Sequence, residues 1–214
     1  MPRTIQPELL DSLSPQDPAA LHSRRDLRLI NRLMGNHRWF LGQLPKRINP
    51  GERVLEIGSG TGELAAQLHQ AGVPTAGLDL MSAPDSWPTS QPWHADDLRT
   101  FDQYTEYSVI IGNLVFHHLT DVELKHLGVR LQRGTRLILA CEPARRRVCQ
   151  FFFRLLALAL GASHVTLHDG HVSIAGGFAG DELAHALGLD KKEWSIEQGS
   201  GLLGGYRMIA TRRA

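Results

Sequence analysis

The sequence holds only two cysteines, Cys141 and Cys149, in 214 residues. That excludes a disulfide framework, and two cysteines do not make a zinc site. No charge sign dominates: 23 basic residues face 22 acidic ones, for a formal net charge of +1. Nucleic-acid binders carry a basic excess or stripe, so no nucleic-acid partner is expected. Long hydrophobic runs are also missing. The longest, residues 151–160, is broken by Arg154 and falls short of the roughly 20 residues a spanning helix needs. Residues 1–20 are rich in Pro, Ser and Asp and lack the apolar stretch of a signal peptide. Together these absences predict a soluble, cytoplasmic protein. What remains is ordinary for a globular chain, 42% hydrophobic and 21% charged, and its length suits one domain with a sizeable core. Nothing in it fixes an oligomeric state.

Residues 1–22 read as a loose leader with prolines at 2, 7, 15 and 18. Leu27, Ile30, Leu33 and Met34 then recur at helical spacing, with Ser23 placed to cap the start and Gly35 to end the helix. A second short helix carries Trp39, Phe40 and Leu44 and closes at Pro45. Further on, apolar strands at residues 54–57, 75–80, 93–95, 107–111 and 135–141 alternate with helices. One helix spans 63–71, and another opens at Thr120 with a capping-box pattern to Glu123. Near-continuous apolar strands separated by helices predict a mostly parallel sheet covered on both faces. The last third departs from this rhythm. It holds a helix over 144–160 that opens on Arg145, Arg146 and Arg147, and a loop-like stretch over 161–180 with His164, His168 and His171. A short helix over 181–187 follows, then two closing strands, 193–198 and 206–211, around a glycine-rich turn.

The stretch Glu56-Ile57-Gly58-Ser59-Gly60-Thr61-Gly62-Glu63 is the most informative. A strand runs into three alternate glycines, and a helix starts at once. Glycine lets a ligand lie against the main chain, and a helix N-terminus offers unpaired N–H groups. Dinucleotide loops use G-x-G-x-x-G. Here Glu63 takes the place of the third glycine, and Glu56 stands two residues before Gly58. Acidic side chains there suit a pyrophosphate poorly and suit a ligand that ends in an ammonium.

This segment resembles motif I of the class I S-adenosylmethionine-dependent methyltransferases, and the resemblance extends over residues 51–142. It implies a Rossmann-like α/β fold: a seven-stranded, mostly parallel sheet with an antiparallel last strand. Helices would cover both faces, with a helical N-terminal cap and an insertion cap. On that reading residues 1–214 form one domain. Residues 1–45 are leader and cap, 46–142 the cofactor core, 143–180 the insertion over the acceptor site, and 181–214 the closing helix and strand pair. The implied cofactor is S-adenosyl-L-methionine, with S-adenosyl-L-homocysteine as product. Its implied contacts are Glu56, Gly58, Ser59, Gly60 and Gly62. Asp79, 21 residues after Gly58, would take the ribose hydroxyls, with Leu80 beside it. Asp96 or its neighbour Asp97 would meet the adenine amine, and Asn113 and Leu114 would pass beneath the methyl donor. The segment at Asn113 lacks the Asn-Pro-Pro-aromatic signature of many nucleic-acid and amide N-methyltransferases. Its absence favours O- or C-methylation of a small molecule.

A hydroxyl nucleophile must lose its proton, and histidine does this near neutral pH. His117 and His118 are the candidate catalytic residues, with helix-start bonding to the backbone as their alternative role. Phe116, His168 and His171 are candidates for the acceptor site. No metal is expected, because His168, Asp169 and His171 match no established ligand spacing. Phe151, Phe152, Phe153 and Leu156 cannot all face a core on one helix stripe. Helix packing is the simpler account, and the alternative is that some line a greasy cavity or touch a membrane surface beside the arginine cluster. On that alternative the acceptor is hydrophobic, phenolic or polyketide-like. A nicotinamide-dependent oxidoreductase is the competing enzyme class, weakened by the loop spacing and by the lack of a Tyr-x-x-x-Lys pair. A non-catalytic module that binds the same cofactor is the other.

Overall fold

The structure is a computed structural model and describes residues 1–14 and 16–213. The leader proline at 15 lies outside the described residues. Seven strands form one sheet: β1 (Val54–Ile57), β2 (Thr75–Asp79), β3 (Trp93–Ala95), β4 (Val109–Asn113), β5 (Leu137–Pro143), β6 (Trp194–Ser200) and β7 (Gly205–Arg212). Their order across the sheet is β3-β2-β1-β4-β5-β7-β6. The first five are parallel, and β7 runs antiparallel to both neighbours. The expected architecture is therefore present. β4 and β5 begin two residues later than the sequence predicts, because Tyr107 and Thr135 are buried in the approach to the strand rather than in it.

Alternate residues of each central strand feed two apolar layers. Leu55, Ile57, Ile110, Ile138 and Ala140 pack on one face with Phe101, Leu124 and Trp194. Val54, Val109, Ile111, Leu137 and Leu139 pack on the other with Phe40, Leu44, Leu64 and Leu68. Both faces being dry explains why these strands read as continuous apolar runs. The parallel register aligns Ile57 with Leu78 and Gly112, so the carboxyl ends of β1, β2 and β4 open on a single edge.

Among the described residues eight α-helices surround the sheet: α1 (Leu9–Ser12), α2 (Pro18–Met34), α3 (Asn36–Gln43), α4 (Glu63–Gln70), α5 (Asp121–Leu131), α6 (Arg147–Ala159), α7 (His164–Gly176) and α8 (Glu182–Ala186). The capping box of α5 forms as read, with Thr120 and Glu123 satisfying each other's backbone. Two expectations fail. The leader is not loose: α2 starts at Pro18, capped by Asp17, and Ser23 is buried inside it rather than capping it. Arg3 and Thr4 tie the leader's start to Gly176, Leu119 and Ala175 main-chain oxygens. These partners lie more than 100 residues away and leave no local signal. Nor is 161–180 a loop, since α7 occupies most of it with Ser163 as its cap. Gly170 there is no helix breaker: a Cβ on it would fall 2.0 Å from the Phe153 ring, so it lets α6 and α7 touch.

Among the described residues no helix is long and apolar enough to cross a membrane. Helix α5 packs so closely on the turn after α8 that a Cβ at Gly128 would sit 1.9 Å from the Leu187 carbonyl oxygen. Gly128→Ala is expected to destabilise the fold by at least about 1–3 kcal/mol, read as a lower urea midpoint with an unchanged slope.

Candidate functional site

A cleft of about 390 Å³ opens at the carboxyl edge of the sheet, within the range of small-molecule sites. Its inner wall is the glycine loop after β1. Gly58 has φ 64°, and a Cβ there would collide with Val115 at 2.5 Å. Only glycine meets both demands. The Ser59 hydroxyl donates to the Glu56 carbonyl (2.8 Å) and accepts from Leu78 N–H (3.2 Å), which pins the loop to β2. At the end of β2, Asp79 accepts from Gly60 N–H (2.8 Å) and Met81 N–H (3.0 Å). Gly62 lies against Trp87, which stacks edge-on with Trp93.

Glu56 is buried in the floor of this wall, and its carboxyl accepts one N–H, from Ala65 at 3.1 Å. Burial, with a further push from the Asp79 charge, raises its pKa to about 8 against that one opposing hydrogen bond. The protonated form is therefore favoured at neutral pH, and a cation placed beside the carboxyl would favour the charged one.

The two candidate adenine contacts are unlike. Asp97 is engaged by Arg99 through several short contacts, which hold its carboxyl below the usual range. Asp96 is exposed, accepts only from the next N–H, and is joined to β2 through its own N–H on the Asp79 carbonyl. At the end of β4, Asn113 accepts from Asn36 (3.0 Å), and Leu114 takes the left-handed conformation with φ 59°. Such a leucine stores about 1–3 kcal/mol of strain. Leu114 lines the cleft, whereas Leu80 is exposed and does not.

The opposite wall centres on a wholly buried carboxylate, Glu142, at the end of β5. It accepts from the N–H groups of Val115 (2.9 Å), Phe116 (2.9 Å) and His117 (3.2 Å), and it lies 2.7 Å from His117 Nδ1. Burial alone would lower the His117 pKa, but Glu142, and then Glu8 at 3.6 Å from Nε2, raise it to about 9. His118 stacks on that ring at 4.2 Å and goes the other way, lowered by burial and by the His117 cation. Burial opposes the charge on Glu8, but His117, His118 and Ser173 outweigh it and hold the carboxyl below its ordinary range. Glu8, His117 and His118 have ligand atoms within 4.8 Å of one another. With His117 protonated, the trio is an ion-pair cluster at neutral pH rather than a set of free lone pairs.

Three acceptor-site expectations are corrected. The Phe116 ring is fully buried in the core beneath Gly112 and does not face the cleft. His168 and His171 sit exposed on α7, outside the cleft lining. His168 leans on Asp169 at 3.1 Å, while both oxygens of Asp169 accept from Leu9 and Leu10 N–H groups and start α1. Glu142 and Glu8 are functional-site residues beyond those expected from the sequence. Glu142 carried a signal, an acid closing an apolar strand as Glu56 does. Glu8 carried none, since it arrives from the leader.

A family model described as a methyltransferase domain matches residues 24–190. The chain belongs to that family. No curated protein sequence matches this methyltransferase domain. Solved structures share its fold. The plantazolicin methyltransferase BamL, in complex with a triazolic desmethylPZN analog and SAH, superposes with a TM-score of 0.72 at 10% identity, covering 96% of this chain and 93% of that one. The magnesium protoporphyrin IX methyltransferase of Synechocystis PCC 6803 with bound SAH gives 0.56 at 17% identity, covering 84% and 83%. The pyocyanin biosynthetic protein PhzM gives 0.60 at 16% identity, covering 92% of this chain and 60% of that one.

Removing one partner of a buried charge pair leaves the other uncompensated. Glu142→Gln is expected to destabilise the domain by about 3–5 kcal/mol, measured by denaturant unfolding near neutral pH. A loss below about 1 kcal/mol would show that Glu142 is not what holds the His117 turn.

Proposed function

We propose that this chain transfers the methyl group of S-adenosyl-L-methionine to a hydroxyl, or to a carbon, of a small hydrophobic acceptor, releasing S-adenosyl-L-homocysteine. The observation that carries this reading is Glu56, a buried carboxyl held neutral beside a glycine cradle. It needs an incoming cation, and the amino group of that cofactor supplies one. When bound, the cofactor presents a sulfonium-activated methyl group. Asp79 binds the ribose hydroxyls in exchange for its bond to Gly60 N–H. Asp96, free of the arginine that occupies Asp97, takes the adenine amine. Asn113 and Leu114 support the donor from below, which gives the strained backbone at Leu114 a use. Family membership and the SAH-bound neighbours support the same cofactor.

The acceptor half is apolar, lined by Leu27, Ile30, Met34, Phe152, Phe153 and Leu156. This supports a hydrophobic acceptor such as a phenol or polyketide. Where two titratable neighbours are pushed apart in pKa, their roles separate. His118, neutral at pH 7, accepts the acceptor's hydroxyl proton as the oxygen–carbon bond forms and the carbon–sulfur bond breaks. His117, already protonated, is a positioning residue that fixes His118 by stacking and holds Glu8 in place.

Calorimetric titration with S-adenosyl-L-homocysteine is the first test. Binding by the wild type, weakened about tenfold or more in Asp79→Ala and in Glu56→Gln, with no heat from NADH, is the expected result. Folded protein that binds NADH and not S-adenosyl-L-homocysteine would overturn the reading.

Once an acceptor is identified, the pH dependence of kcat/KM tests the histidines. The rate is expected to rise through a pKa below the ordinary histidine value of about 6.5 as His118 loses its proton. It falls again near pH 9, where His117 loses its own. His118→Ala removes the acidic limb and lowers kcat by about 10²–10⁴; an unchanged profile in that variant excludes it as the base.

A further inference from the structure

Helix α6 presents three faces, and the cleft and the core account for only two. Ala157 is buried against the fold. Phe153 and Leu156 turn into the cleft. The remaining face carries Val148, Phe151, Phe152, Leu155 and Leu158, spaced at i, i+3, i+4, i+7 and i+10 and so on one stripe. These side chains are half or more exposed, from 50% for Leu155 to 59% for Phe151 and Phe152. An apolar stripe of this size on a surface helix marks an interaction site.

The charges beside the stripe name the partner. Arg147 and Arg154, seven residues apart, run along one flank, exposed and without an acidic neighbour among the described residues. No Asp or Glu occurs between Glu142 and Asp169. A stripe pairing with a second copy of itself would bring four guanidinium groups toward one interface with nothing to neutralise them. A plane of anionic headgroups over hydrocarbon matches both features, the geometry of an interfacial amphipathic helix. The stripe also meets the cleft. Phe152 belongs to both, and the exposed Leu203, in the turn that α6 packs against, lines the cleft as well.

We propose that the outward stripe of α6 docks this chain on a bilayer surface bearing anionic headgroups, with the mouth of the cleft turned toward the lipid. This rests on the surface of α6 alone and stands or falls apart from the methyl-transfer reading. An acceptor dissolved in the bilayer would then reach the apolar half of the cleft without crossing water.

The test is flotation of the full chain with vesicles of phosphatidylcholine alone and of phosphatidylcholine mixed with phosphatidylglycerol. Binding to the mixed vesicles and little to the neutral ones is expected. The double variant Phe151→Ser, Leu155→Ser should lose it about tenfold or more, and Arg147→Gln, Arg154→Gln should lose several-fold or more. Neither pair lines the cleft, so both variants should bind S-adenosyl-L-homocysteine as the wild type does, which separates lost docking from lost folding. The proposal is overturned by no vesicle binding, by equal binding to both compositions, or by variants that bind like the wild type. If sedimentation instead shows a dimer that Phe151→Ser, Leu155→Ser dissociates, the stripe covers a second copy and not a membrane.

Discussion

Glu142 lies where water cannot reach it, and one wall of the cleft is arranged around satisfying its carboxyl oxygens. A buried carboxylate is costly unless several donors converge on it. Here three successive main-chain N–H groups and an imidazole do so, and in meeting that demand they fix the turn from Val115 to His117. Against burial, Glu142 and then Glu8 raise the pKa of His117; burial first, and then the His117 cation, lower that of His118; and the two histidines with Ser173 outweigh burial at Glu8.

The opposite wall solves the inverse problem. Glu56 is buried with a single donor, and burial raises its pKa to about 8, which favours the neutral form at pH 7. Two buried carboxyls thus differ in the donors that meet them: four N–H groups converge on Glu142 and one on Glu56.

The sheet, the glycine loop and Asp79 were legible because their signals are local: β-branched runs, alternate glycines and a carboxylate at a strand end. The capping box of α5 was readable for the same reason. What escaped was decided by distance. Glu8 reaches the histidines only through the fold of the leader, and Ser23 reads as a cap until Thr166, 143 residues away, is seen to bond it in the interior. In 161–180 the helix has room against α6 only because Gly170 lacks a side chain, a matter of packing with a residue 17 positions away. Phe116 was assigned to the acceptor on position alone. Whether a strand-end aromatic turns up into the cleft or down into the core depends on the space beneath Gly112, which no local pattern encodes.

Helix α1 buries none of its residues, and what fastens it is polar: Asp169 on the N–H groups of Leu9 and Leu10, and Ser173 on Glu8. Segments with few apolar contacts open at low free energy, without the rest unfolding. The same segment carries Glu8, which faces His117 and His118, so the polar contacts that fasten α1 also hold that carboxylate against the two rings. The wall of the cleft and the charge beside its histidines thus share one polar fastening, supplied by the first dozen residues.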